Sequence, residues 1–200
     1  ALEGEIKRID ICTINDRPFV YSAGFGKFMN IPYETPRELK KRLGHLAYIK
    51  EGIKDFLRKV KLYDVSYEID GEKYRGLFSF TLITNANRVA GINNFYKDVK
   101  LDDNQFEVLL CNFPSRRSII KALRLLIDHD PNNISGIEFY KTNKINFKFL
   151  QYPKKAWCID GDKLDRAVLE YNFSTVNDFD VMMPKKNVKK LFIRDINLDD

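Results

Sequence analysis

The sequence predicts a mainly β protein with helical inserts, an α+β fold arranged as an antiparallel β-sandwich. Short runs in which apolar and polar residues alternate recur along most of the 200 residues. Only two stretches have helical periodicity, and helices and strands do not alternate in the βαβ order of a parallel sheet. The 15 Phe and 10 Tyr residues favour strands further.

The strand predictions follow from this alternation and from the turn residues between the runs. Residues 62–69 and 74–84 flank Asp70-Gly71, the preferred pair of a type I′ hairpin. The other predicted strands are residues 6–14, 19–23, 106–111, 137–141, 145–150, 156–159, 168–173 and 179–183.

Both predicted helices begin at a capping residue. Thr35, Pro36 and Glu38 form a capping box with proline at the first helical position, and the helix is expected to continue to residue 58. We expect Gly44 inside it to permit a close packing contact. Ser115 caps the second helix. The apolar faces are predicted as Leu39, Leu43, Leu46, Ala47, Ile53 and Leu57 in the first helix, and Ile119, Ile120, Leu123, Leu126 and Ile127 in the second.

The bulk properties indicate one compact domain over residues 1–184, followed by a separate tail over residues 185–200. No run of about 18 apolar residues occurs, so no membrane-spanning helix is predicted. Cys12, Cys111 and Cys158 have no zinc or CxxC spacing and are expected to be free, buried thiols. The net charge of +6 is compatible with phosphate-rich partners. Without a recognisable binding motif, it does not favour nucleic acid.

The sequence lacks the usual signatures of a complete active site. It contains no GxxxxGK[ST] phosphate loop, no GxSxG elbow and no dinucleotide fingerprint, and His45 and His129 stand apart from each other. Two acidic clusters remain. Residues 100–106 could form an oxygen cage for a hard cation or a plain polar turn. Residues 159–162 could carry a general base or only a hairpin turn, as the similar run at Asp70 does.

Four segments in chain order share the pattern of one known family. They are residues 15–26 (NDRPFVYSAGFG), residues 33–48 (YETPRELKKRLGHLAY), Asn85 with Ala90-Gly91 and the following KLDD of residues 100–103, and residues 160–162 (DGD). Together they resemble the second domain of the bacterial diacylglycerol kinases, which are soluble, Mg²⁺-dependent lipid kinases.

This resemblance implies a β-sandwich that closes over an interdomain cleft, with ATP bound mainly by an N-terminal domain whose GGDGT motif this chain lacks. By resemblance, Asp160 is the general base and Asp162 supports it. The family's Mg²⁺ would be held by the backbone carbonyls of Lys100 and Gln105 and by the carboxylate of Asp103. The tail would pack on the nucleotide-binding domain.

Two residues depart from the family pattern. Asn104 stands where the family has glycine, and because asparagine tolerates a left-handed backbone we expect the turn to survive. Asp162 stands where the family has glutamate, one methylene longer. We expect it to reach the metal network only through a water.

The function expected from the resemblance is phosphorylation of the hydroxyl of diacylglycerol or a similar lipid, by a protein of which this chain is one domain. We expect a cytoplasmic protein that binds an anionic membrane surface through the basic face of residues 36–58 and through Lys185, Lys186, Lys189 and Lys190. The alternative is a non-catalytic module that binds lipid or a partner protein. The sequence leaves a homodimer open.

Overall fold

The computed structural model describes residues 4–86, 96, 99–128, 133–184 and 191–193. Within these residues it contains twelve strands and four helices. The strands are β1 (Gly4–Ile14), β2 (Arg17–Phe19), β3 (Ser22–Gly26), β4 (Tyr63–Ile69), β5 (Glu72–Phe78), β6 (Phe80–Thr84), β7 (Phe106–Cys111), β8 (Ile137–Thr142), β9 (Lys144–Phe149), β10 (Cys158–Ile159), β11 (Asp162–Lys163) and β12 (Glu170–Pro184). The helices are α1 (Ile31–Glu34), α2 (Arg37–Leu43), α3 (His45–Leu57) and α4 (Arg116–Asp128).

The strands form two six-stranded antiparallel sheets. The first has the order β2-β1-β12-β9-β4-β5 and the second the order β11-β10-β3-β6-β7-β8. The predicted fold class is therefore confirmed. Helices α1, α2 and α3 are inserted between β3 and β4, and α4 is inserted between β7 and β8.

The main core lies between the sheets and is rich in aromatic rings. Trp157 is fully buried at its centre, with its ring centroid 4.9 Å from that of Phe173 and 5.6 Å from those of Phe25 and Tyr171. Tilted and edge-to-face pairs of this kind add about 0.5–1.5 kcal/mol each beyond the area that they bury. The core therefore fixes the second sheet, from which the candidate site is built.

A second hydrophobic cluster covers the outer face of the second sheet. Every residue of β7 is buried, which requires cover on both faces. Val108 and Leu110 point into the main core, whereas Leu109 packs in the outer cluster with Ile119 and Ala122 of α4. The helical inserts thus complete a second layer of core.

The predicted first helix is broken into shorter pieces. Thr35 does not cap it, because its hydroxyl donates to the carbonyl of Ile31 and the residue ends α1 instead. Gly44 separates α2 from α3 with a φ of +53°, and nothing lies within 4 Å of the space that a Cβ would occupy. The predicted close contact at this glycine is therefore wrong, and its role is the left-handed bend.

The predicted apolar face of this helix is largely exposed to solvent. Leu46, Ile53 and Leu57 are 63%, 57% and 59% exposed, and of the predicted stripe only Ala47 is buried. In α4 the cap is confirmed, because Ser115 Oγ accepts from the N–H of Ser118. Its predicted face is correct only in part: Ile119 is buried, whereas Ile120 and Leu123 are exposed.

Three strand predictions need correction. Residues 74–84 are two strands, β5 and β6, which leave Ser79 between them and belong to different sheets. Residues 19–23 likewise divide between β2 and β3. Conversely, the two runs over residues 168–183 are one long strand, β12, paired with β1 and β9. The hairpin at Asp70-Gly71 and the strand over residues 106–111 are confirmed.

Part of the predicted tail packs on this domain. Phe192 is 2% exposed, Leu101 N–H donates to the carbonyl of Leu191, and Ile193 N–H donates to Asp102 Oδ1. The separate tail stays a prediction for residues 185–190 and 194–200, which lie outside the described residues together with Ala90-Gly91 and His129. The side chain of His45 is likewise not described. In the described chain, no helix has the length and apolar character needed to cross a membrane.

Candidate functional site

Asp160 lies at the tip of the short β10–β11 hairpin. Asp160 has a φ of +48° and Gly161 a φ of +93°, which are the two left-handed positions of a type I′ turn. Cys158 and Ile159 pair with Gly24 and Ala23 of β3, so the hairpin extends the second sheet at its edge. The turn therefore places the carboxylate beside the segment that joins β2 to β3.

The Asp160 carboxylate accepts three backbone hydrogen bonds from that segment. Val20 N–H donates to Oδ2 over 2.8 Å, and the N–H groups of Tyr21 and Ser22 donate to Oδ1 over 2.9 Å each. Asp70, in the matching Ile-Asp-Gly turn, accepts one bond from the described residues, of 3.3 Å from the Thr142 hydroxyl. The structure thus separates two turns that the sequence could not.

An apolar cavity of about 390 Å³ opens next to Asp160. Its size falls within the range of small-molecule sites. Most of its lining is apolar, and its polar lining residues, which include Ser22, Thr84 and Asp160, are few. The apolar lining includes Phe28, Met29, Ile31, Pro32 and Leu82. Such a cavity suits a ligand with an apolar body and a hydroxyl at one end.

Helix α1 forms one wall of this cavity and connects it to α2 and α3. Lys40 of α2 fixes that wall, since its Nζ donates to the Pro32 carbonyl over 2.6 Å and lies 5.6 Å from the centre of the Tyr48 ring. From the sequence, Lys40 belongs to the basic face of residues 36–58 that is expected to meet a membrane surface. Its helical position gave no signal that it would reach a cavity wall.

Asp162 begins β11, two residues beyond Asp160, and is exposed. Helix α1 contacts β11. The Asp162 carboxylate forms no hydrogen bond or ion pair with the described residues, so the supporting role of Asp162 stays a prediction.

The metal site predicted at Lys100, Asp103 and Gln105 lies on a turn with the expected backbone. Asn104 has a φ of +57°, so asparagine does maintain the left-handed turn in place of glycine. Asp103 Oδ1 accepts from Gln105 N–H over 3.1 Å, and Asp103 Oδ2 is 2.5 Å from Lys141 Nζ. The Asp103 side chain is only 8% exposed. One carboxylate beside turn carbonyls is a donor set that suits Mg²⁺, but Lys141 already neutralises it.

A buried carboxyl group lies next to this ion pair. Burial raises the pKa of Glu107 to about 8, while Lys141 opposes that rise. Glu107 is 2% exposed, and its Oε2 has no hydrogen-bond partner among the described residues.

A chain of hydrogen bonds joins the two parts of the candidate site. The backbone of Tyr21 donates to Asp160 and accepts from Asn85 N–H. Asn85 Nδ2 in turn donates to the Asp10 carbonyl, and Asp10 Oδ2 accepts from Asn104 N–H. Asp10, at a β-bulge in the β1–β12 pairing, is therefore a site residue that the sequence analysis missed. Nothing in its strand pattern marked it.

The fold and the site together define a two-sheet domain with an apolar cavity of about 390 Å³ beside an Asp-Gly turn. No protein-family model matches the chain. Among curated proteins, it is 25% identical over 191 residues to a diacylglycerol kinase of Bacillus subtilis strain 168, a match that covers 96% of the chain and 62% of that protein. It is 34% identical over 147 residues to a diacylglycerol kinase of Staphylococcus saprophyticus, which covers 74% of the chain and 45% of that protein.

Solved structures show the same fold. Two crystal structures of a protein described as a diacylglycerol kinase from Bacillus anthracis strain Sterne match with TM-scores of 0.65 and 0.57, at 19% identity. Each match covers 86% of this chain and 54% of the other chain. The chain is thus a relative of the bacterial diacylglycerol kinases over most of its length, and its matches span between 45% and 62% of the length of those proteins.

Proposed function

We propose that this chain is the second domain of an ATP- and Mg²⁺-dependent kinase that phosphorylates the hydroxyl of diacylglycerol or a similar lipid. The observation that carries the proposal is the apolar cavity of about 390 Å³ with Asp160 among its lining residues. The kinship with diacylglycerol kinases supports it. ATP would be bound mainly by the part of those proteins that this chain does not match.

Asp160 accepts the proton of the lipid hydroxyl in this proposal. A carboxylate has about four lone-pair positions, and three of them receive the N–H groups of Val20, Tyr21 and Ser22. The remaining position is free for a hydroxyl in the cavity. The three fixed donors orient the carboxylate, which is what a positioned general base requires. Asp162 supports this network from the adjacent strand.

Mg²⁺ at the Asp103 turn is part of the same proposal. The carbonyls of Lys100 and Gln105 and the carboxylate of Asp103 would hold it, with water completing the shell. When bound, Mg²⁺ would add a second source of positive charge beside the buried Asp103 carboxylate, which Lys141 neutralises in this structure. Because the Asp10 and Asn85 hydrogen bonds tie this turn to the Asp160 segment, order at one position supports order at the other.

The exposed face of α3 is proposed to bind an anionic membrane surface. Leu46, Ile49, Ile53 and Leu57, hereafter the apolar stripe, are 63%, 49%, 57% and 59% exposed and share one narrow face of the helix. Lys50 and Lys54 border it. An apolar stripe with basic flanks is the pattern of a helix that lies in a bilayer interface. Helix α3 also contacts α1, which forms a wall of the apolar cavity, so the proposed membrane helix and the cavity belong to the same helical insert.

Phosphate transfer tests the catalytic proposal. Labelled γ-phosphate from ATP is followed into diacylglycerol in mixed micelles with Mg²⁺, using the full-length protein that contains this chain and the chain alone. We expect transfer by the former only, and a fall of about 10²- to 10⁴-fold for Asp160→Asn. The matched control is Asp70→Asn in the similar turn, assayed where circular dichroism shows both variants folded.

The outcomes separate the kinase from its alternative. Normal turnover of the folded Asp160→Asn variant would remove Asp160 from the role of base. No transfer to any lipid alcohol by a folded protein that binds ATP would support a non-catalytic binding module instead.

Vesicle sedimentation tests the membrane proposal. We expect the chain to bind phosphatidylcholine vesicles that contain phosphatidylglycerol, and Leu46→Gln/Ile53→Gln to weaken binding by about tenfold or more. The control is Leu77→Gln/Leu123→Gln, which changes exposed leucines elsewhere. Equal vesicle binding by both double variants would refute the membrane role of the apolar stripe.

A further inference from the structure

A second cavity, of about 200 Å³, lies where the end of β3, the end of α3 and the start of β4 meet. We call it the basic pocket. It is distinct from the apolar cavity, which shares none of its lining residues. Its charged lining consists of five cationic side chains and one carboxylate: Lys27, Arg58, Lys59, Lys61, Lys155 and Asp55.

Lys27 forms a fixed wall of the basic pocket. It is 8% exposed, and its Nζ donates to the carbonyls of Asp55 and Arg58 at the C-terminal end of α3. Cations stabilise this end of a helix because its last carbonyls lack partners. The Asp55 carboxylate is itself engaged, since it accepts from Phe28 N–H over 3.0 Å and lies 3.6 Å from Lys27 Nζ. The single carboxylate of the pocket is therefore already neutralised.

The other cationic side chains of the basic pocket outnumber their acidic partners. Arg58 and Lys155 share Glu34, at 3.3 Å and 3.5 Å. Lys59 and Lys61 are exposed and have no acidic partner among the described residues. A concave surface of one charge sign concentrates the electric field and attracts ions of the opposite sign. The basic pocket thus presents two unneutralised ammonium groups to an incoming anion.

We propose that the basic pocket binds the phosphate group of an anionic phospholipid headgroup. Ammonium and guanidinium groups form charge-assisted hydrogen bonds with phosphate oxygens. A cavity of about 200 Å³ is smaller than the usual range for larger ligands, so it suits one small anion.

The position of the pocket identifies the source of the phosphate. Arg58 directly follows Leu57, the last residue of the apolar stripe. If the stripe lies among acyl chains, the pocket lies at the level of the headgroups. This source rests on the proposed membrane binding of α3, whereas phosphate binding itself does not.

Binding of inorganic phosphate, measured by titration calorimetry without ATP, is the direct test. We expect saturable binding at one site, weakened about tenfold in Lys59→Gln/Lys61→Gln because two exposed ion contacts are lost together. The control Lys73→Gln/Lys144→Gln removes the same charge near the opposite end of β4. It should bind as the unmodified chain does. No saturable binding, or equal weakening by both double variants, would overturn the proposal.

Competition identifies the source of the phosphate. Saturating inorganic phosphate should release the chain from phosphatidylglycerol vesicles if the headgroup occupies the basic pocket. If the chain stays bound to the vesicles at phosphate concentrations that saturate the basic pocket, the headgroup assignment is overturned. The Leu46→Gln/Ile53→Gln variant should bind vesicles about tenfold more weakly yet retain phosphate binding, which separates a failure of the pocket from a failure of membrane recruitment. Neither measurement depends on kinase activity.

Discussion

Replacing Asp160 by alanine should destabilise the domain more than the same change at Asp70. Both residues precede glycine in a type I′ turn with φ values of +48° and +53°, so the cost of alanine in a left-handed conformation, about 1–2 kcal/mol, is common to both. Asp160 additionally loses three N–H bonds of 2.8–2.9 Å, whereas Asp70 loses one bond of 3.3 Å. The difference in unfolding free energy between the two variants therefore measures the three Asp160 bonds less the one Asp70 bond.

The size of the difference follows from the exposure of Asp160. A net hydrogen bond contributes about 0.5–1.5 kcal/mol, and the lower half of that range applies because water reaches this turn. Three bonds at about 0.5–1 kcal/mol, less the single bond at Asp70, give about 1–2 kcal/mol. Asp160→Asn should fall between alanine and the unmodified chain, since its one carbonyl oxygen can still accept from Tyr21 and Ser22.

Urea denaturation monitored by circular dichroism measures this difference by linear extrapolation. In a domain of this size, 1 kcal/mol corresponds to about 2–4 °C in Tm, so the two alanine variants should differ by about 2–8 °C. Equal stabilities within about 0.5 kcal/mol would show that the three bonds do not hold the β2–β3 segment. The orientation argument for Asp160 as a base would then fail as well.

Three further predictions concern the surroundings of the site. Lys141→Met should lower stability without metal and enlarge the rise in Tm caused by Mg²⁺, because the ammonium no longer neutralises the neighbouring buried carboxylate; an unchanged Mg²⁺ effect would count against a metal there. Gly26→Ala should lower the free energy of unfolding by about 3 kcal/mol, since its φ is +95° and the new Cβ would lie 2.4 Å from a backbone oxygen. A loss of only about 0.5 kcal/mol in urea denaturation, as for an ordinary surface substitution, would contradict this. Burial raises the pKa of the Cys158 thiol to about 11, so alkylation by iodoacetamide should be slow at pH 7 and accelerate towards pH 11; rapid alkylation at pH 7 would refute the burial.

The strands were predictable because their signals are local. A short, almost continuous apolar run located β7 to the residue, and Asp70-Gly71 located the β4–β5 hairpin. The continuous strand β12 was divided in the prediction, since residues 174–178 interrupt the apolar pattern, whereas the pairing to β1 resumes on both sides of a β-bulge at residues 177–178. Pairing with a distant strand overrides local composition there.

Helix periodicity showed where apolar residues recur but not which face is covered. In α3 the sequence places Leu46, Ile53 and Leu57 on one stripe, and the structure leaves that stripe in solvent. The face that packs instead includes Ala47 and the carboxylate of Asp55, which is held by Lys27, the residue directly after β3. A charged residue that is buried by a partner about thirty positions away leaves no periodic signal.

The two Asp-Gly turns show why the role of a carboxylate could not be read from its own segment. Ile-Asp-Gly occurs at Asp70 and at Asp160, and both form the same turn. Asp70 joins β4 to β5, an edge strand, so few backbone donors face it. Asp160 lies beside β3 because β10 pairs with that strand, and the bend before β3 presents three N–H groups in succession. The donors that orient a candidate base thus depend on the order of strands in the sheet, which is set by contacts about 140 residues apart in the chain.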